Sequence, residues 1–448
     1  MTLRLTLKQQ LSAFGDLEVW GFYSIHFFKH TQMLNKEKYH GEIWFPEREE
    51  ERCFCVLFYK DGQVFLETNL GTPERAHVNK YEKILGSFTG LGCLTFIDCE
   101  LNLISSGAII SYIYESRYTF IHPEEFFSPE LTTKSYRVSY NGLLDWRRWN
   151  PCFVAKEQII NYGREESHVF EIAHKNLSVE MLFFSRLNFD KNMTIAQNYS
   201  KLRLNYDIDV PLGRAIDDYE IFQKLIQFLT GSAPRFNSFG YLCPISNEWG
   251  TVYFEDNGYK ELKTGYFLIE FRDIVEHLPA LVNLLYTDEK FLFCIERLLD
   301  NHIDGRLSHS KRFTNSISTF EAFCKNYTER SNTKLNGFFE EHKDLICEIM
   351  NFEEDQFKIF KSKIARSRNY HVHANINDHG SNDIFSDFEL LYLSFALDSI
   401  VAIGLLKHAN VSTKVIDKFI YLGKMTYGGM QSLNRELRQD SIRDWSAN

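Results

Sequence analysis

KIFKSKIARSRNYHVHANINDHG, residues 358–380, is the stretch from which the rest of this chain is best read. Lys358, Lys361, Lys363, Arg366 and Arg368 fall within eleven residues with no acid between them, and Arg368, Asn369, His371 and His373 then bring a guanidinium, an amide and two imidazoles into six positions. An imidazole that titrates near neutrality can take a proton from a ribose 2′-hydroxyl or give one to a leaving 5′-oxygen. A guanidinium can hold the phosphate oxygens as negative charge accumulates. If the segment is helical, Arg368 and His373 lie about 140° apart around the axis, so a local turn or a kinked helix end is needed to bring both to one phosphate. His371, three residues from Arg368, shares its face without distortion and competes with His373 for the role.

Outward from this stretch the chain reads as helical toward the C-terminus. LLYTDEKFLFCIERLLD (284–300), STFEAFCKNYTER (318–330), LNGFFEEHKDLICEIM (335–350), the apolar run 386–409 and VSTKVIDKFIYLGKM (411–425) all carry helical spacing. Toward the N-terminus the signal changes to short runs rich in Val, Ile, Phe and Tyr: EVWGFYSIHFF (18–28), HGEIWFP (40–46), CFCVLFY (53–59), QVFLET (63–68), ILGSFTG (84–90), CLTFIDCEL (93–101) and SYRVSYNGLL (135–144). Several alternate with period two and are separated by turn residues such as KDG at 60–62, which predicts a sandwich or curled sheet. Between them the pattern is mixed: DDYEIFQKLIQFLTG from Asp217 predicts a helix stopped by glycine, whereas TVYFED (251–256) and GYFLIEF (265–271) read as strands. The expected fold class is α+β and multidomain, with a β-rich sensor or regulatory region at 1–200, a mixed connecting subdomain at 201–280 and an all-α bundle at 281–448.

The chain has 448 residues, 44% hydrophobic and 25% charged, with 9 Pro and 24 Gly, which excludes collagenous and generally disordered classes. A net charge of −10 argues against coating nucleic acid with the whole surface. Residues 281–448 carry 21 Lys or Arg against 23 Asp or Glu, so most of the excess negative charge belongs to the first part and the basic island sits in a nearly neutral helical part. The nine Cys show no framework spacing, and the start MTLRLTLKQQLSAF has no apolar run long enough for a secretory signal, so a cytoplasmic location is expected. The run 388–406 is interrupted by Glu389 and Asp398, which favours a buried helix over a membrane span; no membrane partner is expected.

Other chemistry finds less support. Cys53 and Cys55 lack a second close Cys or His pair to complete a zinc pattern, and His371, His373 and His379 with Asp378 lack HExxH spacing, so no metal is expected. The glycines around 86–93 form no phosphate loop, and no cofactor is expected. Trp20, Trp44, Trp146 and Trp149 suit a packed core better than a base-stacking platform. A solvated helix face accounts for the basic island as well as RNA contact does.

The string Arg368-Asn369-x-x-x-His373 resembles the arginine, polar residue and histidine motif of HEPN ribonucleases. With the GEIWFP element at 41–46 in a β-rich first part, the chain resembles, over most of its length and less specifically in its first half, the ApeA group of bacterial anti-phage abortive-infection proteins. The resemblance implies a metal-independent endoribonuclease whose active site forms where two HEPN domains meet in a homodimer, with RNA as substrate and a phage-derived activator. It implies that Arg368 positions phosphate, His373 is the acid/base, and Asn369 orients backbone or substrate, with His371 able to assist or replace His373. Lys361, Lys363 and Arg366 are the expected RNA contacts. The alternative is a HEPN-type protein that has lost activity and binds RNA or a partner.

Overall fold

The computed structural model describes residues 38–417 apart from 61–62, 70–78, 107–109, 128–131, 140–141, 148–152, 155–158, 161–164, 191–192, 232–237, 255–268, 304–307, 328–333, 351 and 374–383. The strand expected at 18–28, Trp20, Trp149, His379, Asp378 and the tail from 418 lie outside the described residues.

Alternation in the first half becomes a closed barrel. Strands β1 (Tyr39–Trp44), β2 (Cys53–Lys60), β3 (Gln63–Thr68), β4 (Lys80–Phe88), β5 (Gly92–Ser106) and β6 (Ile110–His122) pair antiparallel in the ring β1-β2-β3-β6-β5-β4 and back to β1. Every second side chain fills the interior, among them Ile43, Leu57, Leu66, Ile84, Leu94 and Phe96, while Phe54 stays exposed on the outside. Gly41 of the GEIW element pairs with Phe88 so closely that a Cβ would lie 2.4 Å from the Ser87 carbonyl oxygen, so only glycine lets β1 meet β4 there.

The barrel opens into a second half through β6. Its residues 112–116 pair with β3, and residues 118–121 pair instead with β14 (Trp249–Phe254). From there the sheet runs β14, β13 (Ser238–Leu242), β7 (Thr132–Ser139), β12 (Met193–Pro211), β11 (Leu177–Asp190) and β10 (Glu165–Ile172). Helix α1 (Gly142–Arg147) and a short ribbon, β8 (Phe153–Val154) with β9 (Ile159–Ile160), lie between β7 and β10 in the chain. The long helix α2 (Leu212–Thr230) buries Tyr219, Phe222, Leu225, Ile226 and Leu229 in the cluster that also takes Val138, Val179, Leu202, Leu204 and Phe239 from the sheet. It starts at Leu212 rather than Asp217, directly after Pro211 ends β12 in extended conformation. Its stop is the expected one: Gly231, at φ 71°, donates its N–H to the Gln227 carbonyl.

From Phe271 onward the described chain is all-α: α3 (Phe271–Ile274), α4 (Leu278–Thr287), α5 (Glu289–Ile303), α6 (His309–Tyr327), α7 (Leu335–Glu341), α8 (Lys343–Met350), α9 (Glu354–His373) and α10 (Asp387–His408). The end of the strand expected at 265–271 is therefore helical, because Phe271 opens α3 with its ring edge-on to Trp146, whose indole N–H donates to the Ile269 carbonyl at 2.8 Å. Two of the runs with helical spacing each hold two helices. Asp288, in extended conformation after α4, caps α5 by accepting from the N–H groups of Lys290 and Phe291, and His342 separates α7 from α8.

One buried apolar cluster runs without interruption from the inner face of the open sheet through α2 into the bundle. Polar contacts follow the same path: Lys224 on α2 pairs with Glu296 on α5 at 2.6 Å, and the Tyr286 hydroxyl of α4 donates to the Asp218 carbonyl at 2.7 Å. Helix α10, the one described helix long and apolar enough to cross a membrane, is buried along most of its length in this cluster and begins with a Ser386–Glu389 capping box.

Candidate active site

The basic island forms α9, whose inner face is apolar. Phe357, Phe360 and Ile364 are buried, with Phe360 against Phe339, Phe352 and Phe385. Ser367 continues this face. Its hydroxyl donates to the Lys363 carbonyl and accepts the N–H of Phe385, which ties the last turns of α9 to the residue just before the α10 cap.

The cations of the island divide by face. Lys363 is turned inward: its side chain is only 10% exposed, its ammonium lies 3.6 Å from the capping carboxylate of Glu389, and it covers the ring of Phe385. That position serves the α9–α10 junction and keeps its charge away from the outer surface. Lys361 pairs with Glu340 on α7, Lys358 pairs with Asp355 on its own helix, and Arg366 is exposed.

Arg368 faces α6. Its Nε donates to Glu321 Oε1 at 3.0 Å and its Nη2 to Oε2 at 3.3 Å, a two-pronged ion pair, while Nη1 lies 3.5 Å from Asn369 Oδ1. Asn369 itself is exposed. His371 is half-buried beside Phe313 of α6 and Tyr370, and its Nε2 is buried with no hydrogen-bond partner among the described residues. Burial lowers its pKa, opposed by the carboxylate of Asp387, so the ring is held toward its neutral form. Asp387 also lies 3.1 Å from Nδ1 of His309 at the start of α6.

His373 is the last residue of α9, and its side chain lies outside those described. The backbone is helical through this position. The helix brings Arg368 and Asn369 into contact.

Glu321 was not singled out from the sequence, although a signal exists. In FEAFC at 320–324 a lone acid stands among positions that read as core, and an acid in that setting needs a partner. Among the described residues no three His, Cys, Asp or Glu side chains gather into a metal-binding group.

Two family models match this chain. One, described as ApeA N-terminal domain 1, covers residues 38–283, and the other, Apea-like HEPN, covers residues 286–415. No curated protein and no solved structure matches it.

Proposed function

The chain belongs to the ApeA family of HEPN-domain proteins, and on that premise we propose that it is a metal-independent endoribonuclease acting in anti-phage abortive infection. The observation that carries this reading is the setting of Arg368: a guanidinium oriented by a carboxylate, with a partly exposed side chain, in the last turns of a basic helix whose other face is locked into the bundle. His373 follows five residues later in the chain.

In this reading a 2′-hydroxyl loses its proton to an imidazole and attacks the adjacent phosphorus. The bond from phosphorus to the 5′-oxygen breaks, and that oxygen takes a proton, leaving a 2′,3′-cyclic phosphate and a 5′-hydroxyl. Arg368 stabilises the charge that builds on the phosphate oxygens, and Asn369 orients substrate or backbone. Positions five apart on a helix lie about 140° apart around its axis, which supports a phosphate held between two copies of the chain, the Arg of one protomer serving with the His of the other. Arg366, exposed on the outer face, is the cation best placed to meet the RNA backbone, and Lys361 stands second to it. The β-rich first part, sharing its apolar core with the bundle, is suited to relay an infection signal to this site.

Purified protein incubated with total RNA in EDTA should produce fragments, and the Arg368→Ala and His373→Ala variants should not. If both variants cut as the parent does, or if chelation abolishes cleavage, the proposal is wrong. His371→Ala distinguishes the two imidazoles: with its ring packed on Phe313, it should retain cleavage.

A further inference from the structure

We infer that Glu321 is a positioning residue for the phosphate-binding arginine, holding the Arg368 guanidinium in the plane and direction it needs; the inference rests on the reading of Arg368 given above. Glu321 stands on α6 between Phe320 and Phe323, both buried, with its own side chain only 16% exposed. A carboxylate in such a place is costly to desolvate, and an apolar residue or a glutamine of similar size would be the more stabilising choice if bridging two helices were all that was required. Helices α6 and α9 are in any case joined by apolar contact, since Phe320 stacks on Phe339, Phe339 meets Phe360, and Phe313 meets His371.

The geometry of the pair is specific. Both carboxylate oxygens accept from one edge of the guanidinium, Nε and Nη2, which fixes the plane of the group as well as its distance. The opposite edge, carrying Nη1, is thereby directed toward Asn369, the next residue of the motif. A long, flexible side chain is thus presented already ordered, and an arginine that must meet a transition state gains most from being ordered beforehand.

The test uses the full-length protein and one fixed RNA. Glu321→Gln should lower kcat about 100-fold, the scale of a catalytic group displaced by about 1 Å, with KM unchanged. Glu321→Asp, which keeps the charge but shortens the reach, should recover part of that loss and serves if the Gln variant does not fold. Guanidinium ion added to Arg368→Ala should restore cleavage when Glu321 is present to hold it, and should fail in the Arg368→Ala/Glu321→Gln double variant. Cleavage by Glu321→Gln at or above the parent rate would make Glu321 a restraint or a bystander and overturn the inference, as would equal guanidinium rescue with and without the carboxylate.

A second readout needs no activity. With arginine labelled in 15N, the Arg368 Nε–H resonance should be sharp and slow to exchange in the parent and broadened in Glu321→Gln. Equal sharpness in the two would refute the positioning role even if no RNA were cut, and a parent that holds the resonance but cuts no RNA would refute the nuclease reading alone.

Discussion

Asp398 puts a carboxylate in the middle of the long, buried apolar helix α10, and its ionisation should be visible in the stability of the whole bundle. Asn301 donates its side-chain amide to both carboxylate oxygens at 3.3 and 3.2 Å, Ser316 adds a hydroxyl, and Arg312 lies 3.9 Å away. Burial outweighs all three and pushes the pKa up from 3.8 to about 6. A rise of about two pH units, at about 1.4 kcal/mol each, means that ionising Asp398 costs about 3 kcal/mol more in the folded chain than in the unfolded one. The sign follows directly. Between about pH 4 and about pH 6 the folded chain retains a proton that the unfolded chain has released, so stability falls as pH rises through that window and levels off above it. Asp398→Asn keeps the shape and stays neutral, and the attraction of Arg312 is already included in the net shift. The variant should therefore gain up to about 3 kcal/mol over the parent at about pH 8 and nothing at about pH 4, where the parent is protonated as well. Urea denaturation of both proteins across that range measures it. A loss of stability at about pH 8, or a gain independent of pH, would show that burial does not raise the Asp398 pKa in this way.

Two further outcomes are expected. Lys363→Ala should destabilise the fold by about 3 kcal/mol, because it leaves Glu389 buried without its cation, whereas Arg366→Ala on the outer face should change stability little; paired urea melts decide this. His371, with its pKa lowered by burial, should weaken the fold as pH falls below its ordinary range of about 6.5, since the unfolded chain then binds the proton more readily; His371→Gln should remove that part of the acid sensitivity in a thermal-melt series.

Local chemistry made much of this fold legible and long-range pairing hid the rest. Ser386 and Glu389 mark the start of α10 three residues apart, and Gly231 marks the end of α2, because caps are contacts within one turn. The sequence pattern marks β1 to β5, β7 and β14, whereas β6 and β10 to β13 were not singled out, and nothing in one strand says that β6 divides its edge between β3 and β14, so the barrel and its continuation into the wider sheet were out of reach. The breaks at Asp288 and His342 were missed because the apolar spacing carries on across them while the backbone does not. In the site, the basic run and the Arg-Asn-x-x-x-His string could be read directly. That Lys363 turns inward to Glu389, and that Arg368 is gripped by an acid 47 positions earlier in the chain, depends on which helices pack together.

Attack of the RNA by its own 2′-hydroxyl is read most directly by end-group analysis on a short RNA with one cleavage position, made with chelator present. The upstream fragment should carry a 2′,3′-cyclic phosphate, and no cut should appear when the single 2′-hydroxyl beside that phosphate is replaced by hydrogen. Cleavage of the 2′-deoxy substrate at the parent rate, with 3′-hydroxyl ends, would contradict attack by the 2′-hydroxyl.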